Sequence, residues 1–126
     1  MDLLVDTHVF LWWEWESPEL SHAAREALLD KKNRVLVSVA SVWEISIKRS
    51  NGRLDFDGDT IASCAASGFE ILPIVAEHAE LAGRLPLHHT DPFDRMLVAQ
   101  ARIEGLVLMT NDRKITPYGV PLLGAD

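Results

Sequence analysis

Asp2-Leu3-Leu4-Val5-Asp6-Thr7-His8-Val9-Phe10-Leu11-Trp12-Trp13 is the stretch from which the fold can be read. Residues 2–6 are a short apolar run that stops at an acid, the pattern of a buried strand. Thr7 is expected to cap a helix that begins at His8 and packs on the sheet. A buried strand leading straight into a helix is the repeating unit of a parallel sheet, so the question is whether it recurs. It does. Val35-Leu36-Val37 is a second run, with Ser38 as the cap of a helix over roughly 39–49. Val39, Trp43 and Ile47 mark one apolar stripe on that helix. Asp59 is expected to cap a helix through Ala66, closed by Gly68, and Phe69-Glu70-Ile71-Leu72 is a third strand. A further helix covers 76–84. Asp91-Pro92 then starts a helix that runs to about Glu104 and stops at Gly105. Leu106 to Met109 is the fourth strand, and a weaker fifth lies around Val120-Pro121-Leu122. The alternation predicts an α/β fold: a central parallel sheet of four to five strands flanked by helices, in one domain over 1–126.

Composition sets the outer limits. The chain has 126 residues, 48% hydrophobic and 25% charged, enough apolar content for a sizeable core. The single cysteine, Cys64, excludes an internal disulfide and a thiolate zinc site, and it reads as a small core residue. No apolar run reaches membrane-spanning length, and Met1-Asp2-Leu3 lacks the basic region of a signal peptide. The expectation is a cytoplasmic protein with no membrane contact. A formal charge of −7 argues against a simple nucleic-acid-binding module, but not against a nuclease whose acids hold a cation.

Four acids stand where such chemistry needs them. Asp6 ends the first strand, Glu44 lies shortly after the second, Asp94 is in the first turn of its helix, and Asp112 follows the fourth strand by a short turn. Strand ends of a parallel sheet share one edge, where open α/β folds place their sites. Crowded carboxylates repel unless a cation holds them, which asks for Mg²⁺ or Mn²⁺. Each acid also has a purely structural reading. Asp6 can cap the helix after it. Glu44 fits a capping box with Ser41 or an i,i+4 pair with Lys48. Asp94 suits a helix dipole, and Asp112 suits a turn. Asp91 is assigned mainly to capping and support. His88 and His89 read as loop residues near the site, since His-His-x-Asp is no closed zinc pattern. Of the tryptophans, Trp15 is expected to be the most exposed and the others core or interface. Lys48, Arg49, Arg95, Arg113 and Lys114 lie within a few residues of proposed ligands and are candidate contacts for a phosphate backbone.

Four segments together resemble the PIN-domain ribonucleases, in particular the VapC-type toxins of type II toxin–antitoxin pairs. They are Leu3 to Trp13, Ser38-Val39-Ala40-Ser41-Val42-Trp43-Glu44-Ile45-Ser46-Ile47-Lys48, the run His89-Thr90-Asp91-Pro92-Phe93-Asp94-Arg95 continuing to Ala101, and Leu108-Met109-Thr110-Asn111-Asp112. They occur in the family's order and span nearly the whole chain. The resemblance implies a PIN-like three-layer sandwich with an acidic pocket at the C-terminal edge of its sheet. It implies an Mg²⁺- or Mn²⁺-dependent endoribonuclease in which activated water leaves a 5′-phosphate and a 3′-hydroxyl. It places the catalytic and metal-binding roles on Asp6, Glu44, Asp94 and Asp112, with Thr7 and Thr110 matching small hydroxyl positions beside the metal; Asp91 and Asn111 are further supporting candidates. It also implies a homodimer and a cognate antitoxin.

Two other readings keep part of this picture. One is a PIN-like partner-binding module without catalysis. The other is a different metal-dependent phosphohydrolase. A dehalogenase-like phosphatase wants Asp-x-Asp after the first strand, where this chain has Asp6-Thr7-His8, and the acid set of a receiver domain is missing.

Overall fold

The computed structural model describes residues 1–126. Five strands, β1 (Asp2–Val5), β2 (Arg34–Ser38), β3 (Glu70–Leu72), β4 (Val107–Thr110) and β5 (Leu122–Gly124), form one sheet in the order β3-β2-β1-β4-β5. Every neighbouring pair is parallel. Six helices accompany them: α1 (Thr7–Glu14), α2 (His22–Leu29), α3 (Val39–Ser50), α4 (Thr60–Ser67), α5 (Ala76–Arg84) and α6 (Pro92–Glu104). A 3₁₀ helix over Arg113–Tyr118 precedes β5.

The layering follows from strand periodicity. Successive side chains point to opposite faces, so each apolar run divides its residues between two cores. Leu3, Val5, Val35, Val37 and Met109 join Val9 and Phe10 of α1, Ala24 and Leu28 of α2, Ile45 of α3 and Cys64 of α4. Leu4, Leu36 and Leu108 join Leu97, Val98 and Ala101 of α6, with Leu85 and Tyr118. Leu4 is paired with both Leu36 and Leu108, so the second core is seeded by a row of leucines across the three central strands. A sheet covered on both faces explains why β1, β2 and β4 read as continuous apolar runs rather than alternating ones.

Local signals account for most element ends. Gly68 and Gly105 end α4 and α6 at φ of 76° and 67°, a left-handed conformation that costs other residues free energy. Cys64 is buried, and burial pushes its thiol up to about 11. The fifth strand lies at 122–124 rather than around 120–122. Pro121 has no N–H, and Val120 is used in the second core instead. On α3 the helix buries Ala40, Ser41, Glu44 and Ile45, so the stripe of Val39, Trp43 and Ile47 faces outward. Trp43 is 60% exposed, more than Trp15 at 45%, contrary to the expectation from sequence.

The chain lays β2 and β3 to one side of β1 and β4 and β5 to the other. The order therefore reverses between β1 and β4. The crevice beyond the C-terminal ends of those two strands is where open α/β sheets bind ligands.

Candidate metal centre

Asp6 is the residue immediately after β1, and it, not Thr7, caps α1. Its Oδ1 accepts the Val9 N–H at 2.8 Å, and Thr7 is the first helical residue. The cap does not exhaust the carboxylate, because Thr110 at the end of β4 donates its hydroxyl to the other oxygen. The Thr110 hydroxyl in turn accepts the Asp112 N–H at 3.0 Å. The ends of β1 and β4 are thus tied through side chains. Burial pushes Asp6 above the usual carboxylate range; the Thr110 and Val9 hydrogen bonds and His8 oppose the shift, while Asp112 adds to it.

Asp94 enters from the first turn of α6. Asp91 is the cap of that helix, accepting the N–H of Phe93 at 2.8 Å and of Asp94 at 3.3 Å. Asp94 is pushed up to about 7 by burial and then by the neighbouring carboxylates of Asp91 and Asp6, with His89 opposing. This is the electrostatic signature of acids brought together against their mutual repulsion.

His89 closes the group. Its Nε2 lies 2.8 Å from Asp94 Oδ2 and 2.9 Å from Asp112 Oδ2. The ligand atoms of His89, Asp94 and Asp112 all lie within 4.8 Å of one another. From the sequence alone His89 is a loop residue near the site. The available signal was the spacing His89-x-Asp91-x-x-Asp94, which sets the ring just before a capped helix whose first turn carries the acid.

Glu44 is placed differently. It is buried on α3, where Oε1 accepts the Thr7 hydroxyl at 2.6 Å and Oε2 accepts from Lys48 at 2.6 Å. Ser41 Oγ is 2.9 Å from the same Thr7 hydroxyl, and Ser38, not Ser41, caps the helix. Glu44 is therefore neutralised by a hydroxyl and an ammonium and does not join the His89–Asp94–Asp112 group.

The five candidate cations separate. Arg95 is buried, at 8% exposure, and cannot line an RNA track. Its guanidinium donates to the carbonyls of Leu85 at 2.8 Å, Ala82 at 2.9 Å and Pro86 at 3.0 Å. It also reaches the His89 carbonyl at 3.2 Å, so it closes the end of α5 and holds the loop leading to the site. Lys48 is committed to Glu44. Arg49 donates to the Gly58 carbonyl at 2.7 Å and lies over the Phe56 ring. Arg113 and Lys114 are exposed beside Asp112, and Asn111 is exposed in the turn before it. A shallow pocket of about 180 Å³ there is lined by Thr110, Asn111, Asp112 and Arg113.

A larger open groove of about 620 Å³ runs between α3 and the 57–61 segment, lined in part by Val42, Ile45, Arg49 and Ile61. None of the four acids lines it. No helix is long and apolar enough to cross a membrane.

Comparison with known proteins agrees with the geometry. Residues 3–119 match the family model of the PIN domain. The chain is 28% identical over 122 residues to Ribonuclease VapC22 of Mycobacterium tuberculosis, covering 94% of this chain and 93% of that protein. The structure of VapBC2 from Rickettsia felis bound to a promoter DNA fragment is similar with a TM-score of 0.75 at 18% identity, over 100% of both chains. DNA-bound VapBC from Salmonella typhimurium is similar with a TM-score of 0.69 at 17% identity, over 98% of both.

Proposed function

Because the chain belongs to the PIN domain family, we propose that it is a metal-dependent endoribonuclease and the toxin of a toxin–antitoxin pair. The observation that carries this reading is the convergence of Asp6, Asp94 and Asp112 at the β1–β4 crevice, where Asp112 raises the proton affinity of Asp6 and Asp6 that of Asp94. The relative named a ribonuclease and the fold shared with VapBC structures support it.

The donor set fits a hard divalent cation. Carboxylate oxygens suit Mg²⁺ and Mn²⁺, and no thiolate competes. Asp94 and Asp112 would hold the ion, with Asp6 contributing the third charge. When bound, the cation supplies charge neutralisation at the phosphate and a more acidic water. The protein's own work is positional. Thr110 and the Val9 N–H fix both oxygens of Asp6. Asp91 fixes the first turn of α6 and so the direction of Asp94. Glu44, held by Thr7 and paired with Lys48, ties α3 to the start of α1 and would reach an ion only through water. Arg113 and Lys114 are the free cations available to an RNA backbone.

The outward stripe of Val39, Trp43 and Ile47, with Ile61 beside the groove, supports a protein partner: a second copy of the chain and an antitoxin segment. An amphipathic helix laid there would use anchors at i, i+3, i+4 and i+7. Inducing the protein in cells and sequencing RNA 5′ ends tests the proposal. Growth arrest with new 5′-phosphate ends, both abolished by Asp94→Asn, is expected. Harmless accumulation of folded protein with no new ends would reject the toxin role.

A further inference from the structure

We infer that His89 is a positioning residue, an N–H clasp that joins Asp94 to Asp112 and sets their carboxylates for the cation; the inference rests on the metal reading above. Two carboxylate oxygens lie 2.8 and 2.9 Å from the same ring nitrogen, Nε2. Ionised carboxylates, the form that would hold a cation, only accept, so a lone pair aimed at both would be repelled and the nitrogen then carries the proton. The other side of the ring agrees. Nδ1 faces the Asp91 N–H at 3.5 Å, a long contact in which the ring can only accept. Nε2 is thus a donor to the two acids rather than a ligand of their ion.

The clasp is built rather than incidental. The His89 N–H donates to the Tyr118 hydroxyl at 3.0 Å, and its carbonyl accepts from Arg95 at 3.2 Å. Tyr118 also donates to the Pro86 carbonyl at 2.7 Å, so both ends of the 86–89 loop are pinned to the same two side chains. The ring itself is only 10% exposed. The two acids it joins come from different elements, the start of α6 and the turn after β4, and no other side chain bridges them. Asp112 has its second oxygen on the Lys114 N–H, whereas Asp94 keeps Oδ1 without a protein donor. With Oδ2 held by the ring, Oδ1 would be the Asp94 oxygen left to hold a cation. Hydrogen-bonded partners of this kind orient ligating carboxylates, and losing one costs roughly 10–100-fold in metal affinity.

Two measurements on the full chain test this. The first is Mn²⁺ affinity by electron paramagnetic resonance for wild type, His89→Ala and His89→Gln. Expected is a loss of about 10–100-fold for alanine and recovery to within a few-fold for glutamine, whose amide N–H reaches the same place. No directly bonded ¹⁴N coupling should appear on Mn²⁺ in the wild type. Alanine binding as tightly as wild type, or tighter, overturns the clasp, and so does a directly bonded nitrogen. The second is ¹⁵N NMR of the His89 ring in metal-free protein at alkaline pH, with Asp94 ionised, where a protonated Nε2 coupled to carboxylate acceptors is expected and a bare Nε2 overturns the inference. If wild type binds no Mn²⁺ at all, the metal reading falls, and the ring spectrum still decides the clasp.

Discussion

Replacing Arg95 by methionine removes a buried guanidinium whose partners are almost all main-chain carbonyls. Three of them, Leu85, Ala82 and Pro86, lie at 2.8, 2.9 and 3.0 Å. Pro86 keeps the Tyr118 hydroxyl at 2.7 Å, so two carbonyls, Leu85 and Ala82, lose their side-chain donor. A buried acceptor left without its donor costs about 1–3 kcal/mol, so two give a ceiling of roughly 2–6 kcal/mol. The neighbouring 86–89 loop is partly open to water, which can satisfy part of this, so a loss of about 2–4 kcal/mol is expected. In a chain of this length that is on the order of 5–15 °C in melting temperature. The lysine variant should recover little, since a single ammonium cannot fork across carbonyls as a guanidinium does. Thermal and urea melts of Arg95→Met, beside the exposed control Arg113→Met, make the comparison; the control should stay within about 0.5 kcal/mol. An Arg95→Met protein of wild-type stability whose RNA affinity and salt dependence both fall would instead make Arg95 a phosphate contact.

Asp91→Ala should cost about 0.5–2 kcal/mol through loss of a helix cap and reduce cleavage less than Asp94→Asn, which should abolish it with little loss of stability; melts and cleavage assays showing the reverse would mean that cap and ligand are exchanged. Asp94 titrates near 3.8 in the unfolded chain and at about 7 when folded. Between those values the native state holds a proton the unfolded state has released, so metal-free stability should fall as pH rises from about 4 to about 7 and level off above. Asp94→Asn should flatten that slope in a series of melts without metal, and an unchanged slope would place the titration elsewhere. Trp43→Asp, on the outward face of α3, should cost about 0.5–1.5 kcal/mol through loss of its edge-to-face contact with Phe93, and weaken self-association or antitoxin capture, as light scattering would show.

The sheet was legible because β1, β2 and β4 are apolar runs that end in polar caps, and because Asp91-Pro92 and Gly105 bracket α6. What stayed hidden depended on three-dimensional partners. The 3₁₀ helix carries Pro117 and little periodicity, and its buried Ile115 and Tyr118 have meaning only against the second core. Asp6 was found, yet its role as the α1 cap was given to Thr7, since either side chain can accept from the first turn. The hydroxyl of Thr7 goes instead to Glu44 across 37 positions, which no local spacing reveals. Arg95 read as surface charge because arginines usually are; its carbonyl nest comes from the end of α5 and the 86–89 loop. His89 was visible only as a loop residue, because the second acid it touches, Asp112, lies 23 positions away.

The proposed activity requires the acidic crevice to hold a divalent cation for phosphodiester hydrolysis. Its most direct measurement is cleavage of single-stranded RNA by purified protein across a titration of Mg²⁺ or Mn²⁺, with end-group analysis of the products. Cleavage should need the metal, stop in excess EDTA, return when metal is restored, vanish in Asp94→Asn, and leave 5′-phosphate ends. Undiminished cleavage in chelator, or equal cleavage by Asp94→Asn, would contradict the assignment of that crevice as the metal centre.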